Sequence, residues 1–155
     1  MRFLYNDVIA LSLKNAVVDT FVENMKNNWL GIENGGILVG TLNPAANETV
    51  VTDITEPQEK DMQSTFSYYR AEYGHQQIMN SLWESSDRTK TYLGEWHTHN
   101  QDIPKPSIID KRNWIKISQR DRNSSWLFFA IVGKKEIGVW TIHNGEIIKM
   151  IRNED

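Results

Sequence analysis

The chain contains no cysteine. That absence excludes disulfides, thiolate zinc sites, iron–sulfur clusters and cysteine nucleophiles together. Any metal is left to His, Asp, Glu or water. Long apolar runs are absent as well, since nothing approaches the ~18 residues that a membrane span needs. A basic excess is also missing: the formal net charge is −3, so the chain advertises neither nucleic acid nor anionic lipid as a partner. Asn6 and Asp7 interrupt the only apolar stretch near the N-terminus, which lacks a clean signal-peptide core. A cytosolic protein is therefore expected. What remains is ordinary for a globular protein: 155 residues, 39% hydrophobic and 24% charged. This predicts one domain over residues 1–155, with enough chain to bury a core.

Periodicity predicts a mixed α/β fold. Residues 3–12 form a strand or hairpin edge. Ser12 is placed to cap a helix over 13–27, where Leu13, Val17, Phe21 and Met25 recur every four residues. Gly35-Gly36 opens a buried strand running to Gly40, Asn43-Pro44 turns the chain, and residues 49–55 supply its partner. Residues 56–65 are polar and loop-like, and residues 66–74 are ambiguous. A helix over 74–86 carries the stripe Ile78, Met79, Leu82 and Trp83. A strand over 92–99 precedes a loop stiffened by Pro104 and Pro106, then a helix over 107–120 with Ile108, Ile109, Trp114 and Ile117 facing inward. Strands follow at 125–132, 136–143 and 146–152, with Asn144-Gly145 as a hairpin turn. The expected architecture is one twisted mixed sheet flanked by about three helices. Most tryptophans read as core, including Trp96, Trp114, Trp126 and Trp140. His75 and His143 read as structural or surface residues.

Chemistry concentrates in Glu95-Trp96-His97-Thr98-His99-Asn100. On a strand, residues i and i+2 share a face about 6.6 Å apart, so both imidazoles can lean toward one ion at about 2.0–2.1 Å. A short way downstream, Ser107 and Asp110 stand at i and i+3 on a helix start and look back toward the strand end. Two histidines and one aspartate make three ligands, which leaves a tetrahedral zinc ion one position for water, the arrangement of a catalytic site. Such a water needs a carboxylate to move its proton. Spacing does not choose that carboxylate. Glu95 shares the strand face of His97 and His99, and Glu33 precedes glycines that leave room for close approach of another chain.

These residues resemble the signature of the JAB/JAMM (MPN-domain) metallopeptidases: His97-x-His99, seven residues, then Ser107-x-x-Asp110. Glu33-Asn-Gly-Gly-Ile-Leu-Val-Gly40 is similar to that family's glutamate-bearing strand start. The resemblance spans most of residues 30–120. It implies one zinc ion per chain on His97, His99 and Asp110, Glu33 as general acid/base, and Ser107 as hydrogen-bond donor to the oxyanion. Glu95, standing where eukaryotic members usually have an aromatic, resembles the bacterial branch. Within that branch the short chain, through Asp61, Phe66, Arg70 and the 92–99 strand, is similar to the deconjugating peptidases of antiphage CBASS operons. The resemblance then implies an isopeptidase whose partner is a protein conjugated through an extended C-terminal tail, such as a cyclic-nucleotide synthase. Trimming of a ubiquitin-like or sulfur-carrier precursor, and a non-catalytic MPN scaffold, are the alternatives. Zinc deaminase and gluzincin chemistry are excluded, because no Pro-Cys-x-x-Cys or His-Glu-x-x-His segment occurs. The polar segment 56–73 is a candidate wall of the substrate groove.

Overall fold

The structure, a computed structural model, describes residues 1–120 and 126–154. The N-terminal stretch forms a hairpin of β1 (Arg2–Tyr5) and β2 (Ile9–Leu13). In α1 (Asn15–Asn27), Val17, Phe21 and Met25 are buried at the predicted four-residue interval. The helix start differs from expectation. Ser12 lies in β2, paired with Val50, and its hydroxyl donates to Glu48 at 2.9 Å. Strand pairing outcompetes capping here, and Lys14 stands at the boundary without a side-chain cap.

β3 (Gly35–Asn43) and β4 (Glu48–Ile54) pair antiparallel across a turn at Pro44–Ala46. The polar segment that follows holds a small hairpin, β5 (Met62–Gln63) with β6 (Tyr68–Tyr69). In α2 (Glu72–Ser85), His75 and Met79 are buried, whereas Trp83 is exposed beneath the Arg88 guanidinium. β7 (Thr91–Thr98) and α3 (Ile108–Arg120) carry the histidine and aspartate motifs. α3 turns differently from the predicted stripe. Ile108 and Ile109 are 70% and 41% exposed, because the inward face is taken by Asp110, Trp114 and Ile117 at i, i+4 and i+7. β8 (Phe128–Val132) and β9 (Ile137–His143) follow, and the predicted strand start at residue 125 lies outside the described residues. Asn144 and Gly145 both have positive φ, as a type I′ turn requires.

The expected single strand at 146–152 is broken at Met150 into β10 (Glu146–Lys149) and β11 (Ile151–Asn153). The sheet order is β10-β9-β8-β7-β3-β4-β2-β1-β11. Its two outermost strands are thus consecutive in the chain, and the sheet curls until its edges meet. Met150 marks the seam, its N–H donating to the Val139 carbonyl at 2.9 Å. β8 is an interior strand, third from one edge, and is apolar on both faces, as a doubly covered strand should be. Phe128, Ala130 and Val132 pack on the α1 side with Phe3, Phe21 and Trp96. Phe129 and Ile131 pack on the α3 side with Trp114 and Trp140. Ile37, Val39 and Met79 form a third cluster under α2. Trp96, Trp114 and Trp140 are core, as expected; Trp126 is only partly buried, and Trp29 is exposed.

Candidate metal centre

His97 lies near the end of β7 and His99 just beyond it. A register shift in the β3–β7 pairing, between Leu38 and Val39, resets the alternation of β7. Trp96 therefore faces the α1 core while His97 faces α3, where its ring lies 6.5 Å from the Trp114 ring. The fold brings all of the expected site residues to this strand end. The His97 and His99 Nε2 atoms are 3.1 Å apart. Asp110 presents Oδ1 to His97 and Oδ2 to His99, both at 3.2 Å. Glu33 Oε1 lies 3.5 Å from His99 Nε2. Ligand atoms of Glu33, His97 and His99 all fall within 4.8 Å of one another, and all three residues are buried.

Spacings of this size fit a metal. Two donors about 2.0–2.1 Å from a tetrahedral ion lie about 3.3 Å from each other. Two ring nitrogens facing each other are joined either by one N–H donating to the other ring or by a metal ion between them. Glu33 Oε2 is buried with no hydrogen-bond partner, a costly state that a bound ion or water would relieve.

Local structure positions each group. Ser107 and Asp110 bond reciprocally at the start of α3: the Ser107 N–H donates to Asp110 Oδ2 at 2.6 Å, and the Asp110 N–H donates to the Ser107 hydroxyl at 3.1 Å. This is a capping box, so Asp110 serves the helix and the imidazoles at once. Glu33 is held through its backbone, its N–H donating to the Ser64 carbonyl at 2.8 Å. Next to it, Thr98 Oγ1 accepts the Asn34 N–H. Gly35 and Gly36 admit close neighbours within the fold. A Cβ at Gly35 would meet the Trp96 carbonyl oxygen at 2.0 Å, and one at Gly36 would meet that of Thr55 at 2.0 Å. The close approach seen here is that of β7 and of Thr55, just beyond β4.

Electrostatics separate the carboxylates. Burial pushes the Glu33 carboxyl above its usual value; His97 and His99 oppose the shift and Asp110 adds to it. Burial also acts on Asp110, but hydrogen bonds from His97 and His99 outweigh it and hold that carboxyl well below the usual range. His99 is raised: burial would lower it, but Asp110 and Glu33 prevail. Glu95 stands apart. It accepts from Arg70 Nε at 2.9 Å and is reached by the Tyr92 hydroxyl, so its charge is committed to an ion pair.

Sequence reasoning missed that ion pair and a second buried cluster of Thr55, Asp61, Tyr68 and His75. Neither has a spacing signature, since each joins residues from separate elements. The segment 56–73 does border the site. Thr65 and Phe66 line a groove of about 660 Å³ together with Leu30, Glu33, His99 and Ser107.

A curled mixed sheet that gathers two imidazoles and two carboxylates at one strand end defines an α/β domain built around a candidate metal site. The chain belongs to the family described as prokaryotic homologs of the JAB domain, whose sequence profile matches residues 15–143. Among curated relatives, a CD-NTase/cGAS isopeptidase of Vibrio cholerae is 36% identical, covering 77% of this chain and 74% of its own. A protein of the same name from Escherichia coli is 32% identical, covering 81% and 77%. A solution structure of a Desulfitobacterium hafniense protein has the same fold, with a TM-score of 0.58 and 15% identity over 90% of this chain and 88% of that one.

Proposed function

We propose that this protein is a zinc-dependent isopeptidase that hydrolyses the amide joining the C-terminal tail of a conjugated protein to its target. The observation that carries this reading is the convergence of His97, His99, Asp110 and Glu33, at spacings of 3.1–3.5 Å, beside a groove that Glu33 and His99 line. The names of the Vibrio and Escherichia relatives support a CD-NTase as the conjugated protein, and hence a part in antiphage defence.

His97, His99 and Asp110 would hold the zinc ion. When bound, the metal supplies Lewis acidity and an acidified water. Glu33, anchored through its backbone and raised by burial, takes a proton from the attacking side and returns it to the leaving amine. Burial raises Glu33 whereas the imidazoles hold Asp110 low, which suits Glu33 to proton transfer and Asp110 to ligation. The Ser107 hydroxyl accepts the Asp110 N–H and keeps its own hydrogen to donate to the substrate's carbonyl oxygen. The tail lies extended in the groove between Leu30 and Phe66. The short β5–β6 hairpin offers backbone groups for strand-like pairing, and the exposed Phe66 ring, 82% accessible, offers apolar contact.

The test is a fusion of the partner's C-terminal tail to an unrelated reporter. Cleavage at the junction is expected, lost with chelator and restored by zinc. Cleavage of a partner whose folded body is intact but whose tail has been deleted would refute tail recognition.

A further inference from the structure

A second acid–imidazole cluster sits behind Glu33. The Asp61 and His75 side chains are both fully buried, with His75 Nε2 3.0 Å from Asp61 Oδ2. Asp61 accepts three more hydrogen bonds: from the Gln58 N–H, the Ala71 N–H and the Tyr68 hydroxyl, each at 2.8 Å. These bonds draw together the two ends of the loop that carries the β5–β6 hairpin. On the other side of His75, Nδ1 meets the Thr55 hydroxyl, and Thr55 Oγ1 accepts the Ile37 N–H at 2.9 Å. The network closes when Thr55 donates to Nδ1 and Nε2 carries its proton toward Asp61. The Tyr68 hydroxyl also lies 2.8 Å from the Gly35 carbonyl oxygen, so its single hydrogen is shared between that carbonyl and Asp61. The hairpin is thereby fastened to Gly35 and Ile37 at the start of β3. From its turn, the Ser64 carbonyl accepts the Glu33 N–H.

We propose that Asp61 and His75 are positioning residues for Glu33: they clamp the hairpin whose Ser64 carbonyl fixes the Glu33 backbone, and so set where the general base stands. Neither Asp61 nor His75 bonds a proposed metal ligand, and any change in tail pairing at the hairpin would fall alike on the wild-type and Glu33→Gln backgrounds. The cluster meets β7 where the Trp96 indole N–H donates to the Thr55 carbonyl at 3.0 Å, but among the described residues no hydrogen bond joins Asp61 or His75 to His97, His99 or Asp110. Loosening the clamp therefore displaces the base and spares the metal. The proposal rests on Glu33 acting as the base, and it is testable without that reading.

Asp61→Asn keeps the shape and removes the charge that collects four donors. Amide hydrogen exchange at Glu33 should rise at least about tenfold, while amides of the β7–β8 ladder and the zinc content stay unchanged. In cleavage assays kcat should fall about tenfold in the wild-type background but less than twofold when Glu33→Gln is already present, because the two changes act through one group. A purely structural role predicts equal losses in both backgrounds. Tyr68→Phe, a milder cut in the same network, should repeat the pattern at smaller size and serves if Asp61→Asn fails to fold. Unchanged Glu33 exchange in a folded variant, or equal kcat losses in both backgrounds, overturns the proposal. The exchange measurement needs no substrate, so it decides the clamp even where the cleavage reading fails.

Discussion

Two clusters of imidazole and carboxylate flank the first residues of β3, and they are built from the same chemistry to opposite ends. Around His75, each side-chain hydrogen-bonding group has a complementary partner: Asp61 faces four donors, and Thr55 links Ile37 to the ring. Around His97 and His99 the pairing is incomplete. Glu33 Oε2 is buried with no partner, beside two rings that crowd each other at 3.1 Å and one Asp110 carboxylate. A satisfied buried network rigidifies a fold, whereas an unsatisfied one costs free energy unless something joins it. A histidine near an acid is thus no pointer to function by itself. The unanswered polar atoms beside it are.

The largest expected effect comes from supplying what the incomplete cluster lacks. Zinc at a thousandfold over its dissociation constant should stabilise the protein by about 4 kcal/mol, on the order of 10 °C in melting temperature for a chain of this size. His97→Ala should abolish that increment. His75→Ala should melt lower throughout but keep it. Thermal scans with zinc and with chelator read both; an increment lost in His75→Ala instead would erase the distinction between the clusters.

Next in size is the proton carrier. Glu33→Gln should cut kcat by about 10²-fold with zinc content unchanged. Glu95→Gln should cost less, since Glu95 is paired with Arg70. Steady-state rates with metal analysis decide the ranking, and the reverse order would move the base onto β7.

How much of this was legible in the sequence depends on distance along the chain. His97, His99, Ser107 and Asp110 are readable because strand alternation and the helical i, i+3 relation are local rules. Val17, Phe21 and Met25 are readable for the same reason. Glu33 has no local signature, and the choice between it and Glu95 rests on family resemblance; the Arg70 pairing that sets Glu95 apart exists only in the fold. Ser12 and Ile108 mislead because a local preference, for a cap and for burial, yields to strand pairing and to the Asp110–Trp114–Ile117 face. Gly35 and Gly36 do signal close approach, but a sequence does not say which chain approaches. The seam at Met150 is invisible to periodicity, since β10 and β11 read as one continuous strand that serves both edges of a closing sheet.

The smallest effect tests the satisfied cluster through pH. Burial would raise Asp61, but the Gln58 and Ala71 N–H groups, with His75 and Tyr68, hold it below its ordinary value. A carboxyl depressed in the folded state stays ionised where the unfolded chain has already taken up its proton. Its contribution to stability is complete above the unfolded value of about 3.9 and is lost as pH falls through the folded value. Asp61→Asn, which cannot titrate, should therefore be less stable than wild type at neutral pH, with the gap narrowing below about pH 4. Urea unfolding between pH 7 and pH 2, with chelator present so that metal release from the other cluster does not enter, measures the gap directly. A gap that stays constant down to pH 2 would mean that Asp61 holds the hairpin by shape and hydrogen bonding alone, and the contrast between the two clusters would then owe nothing to charge on the satisfied side.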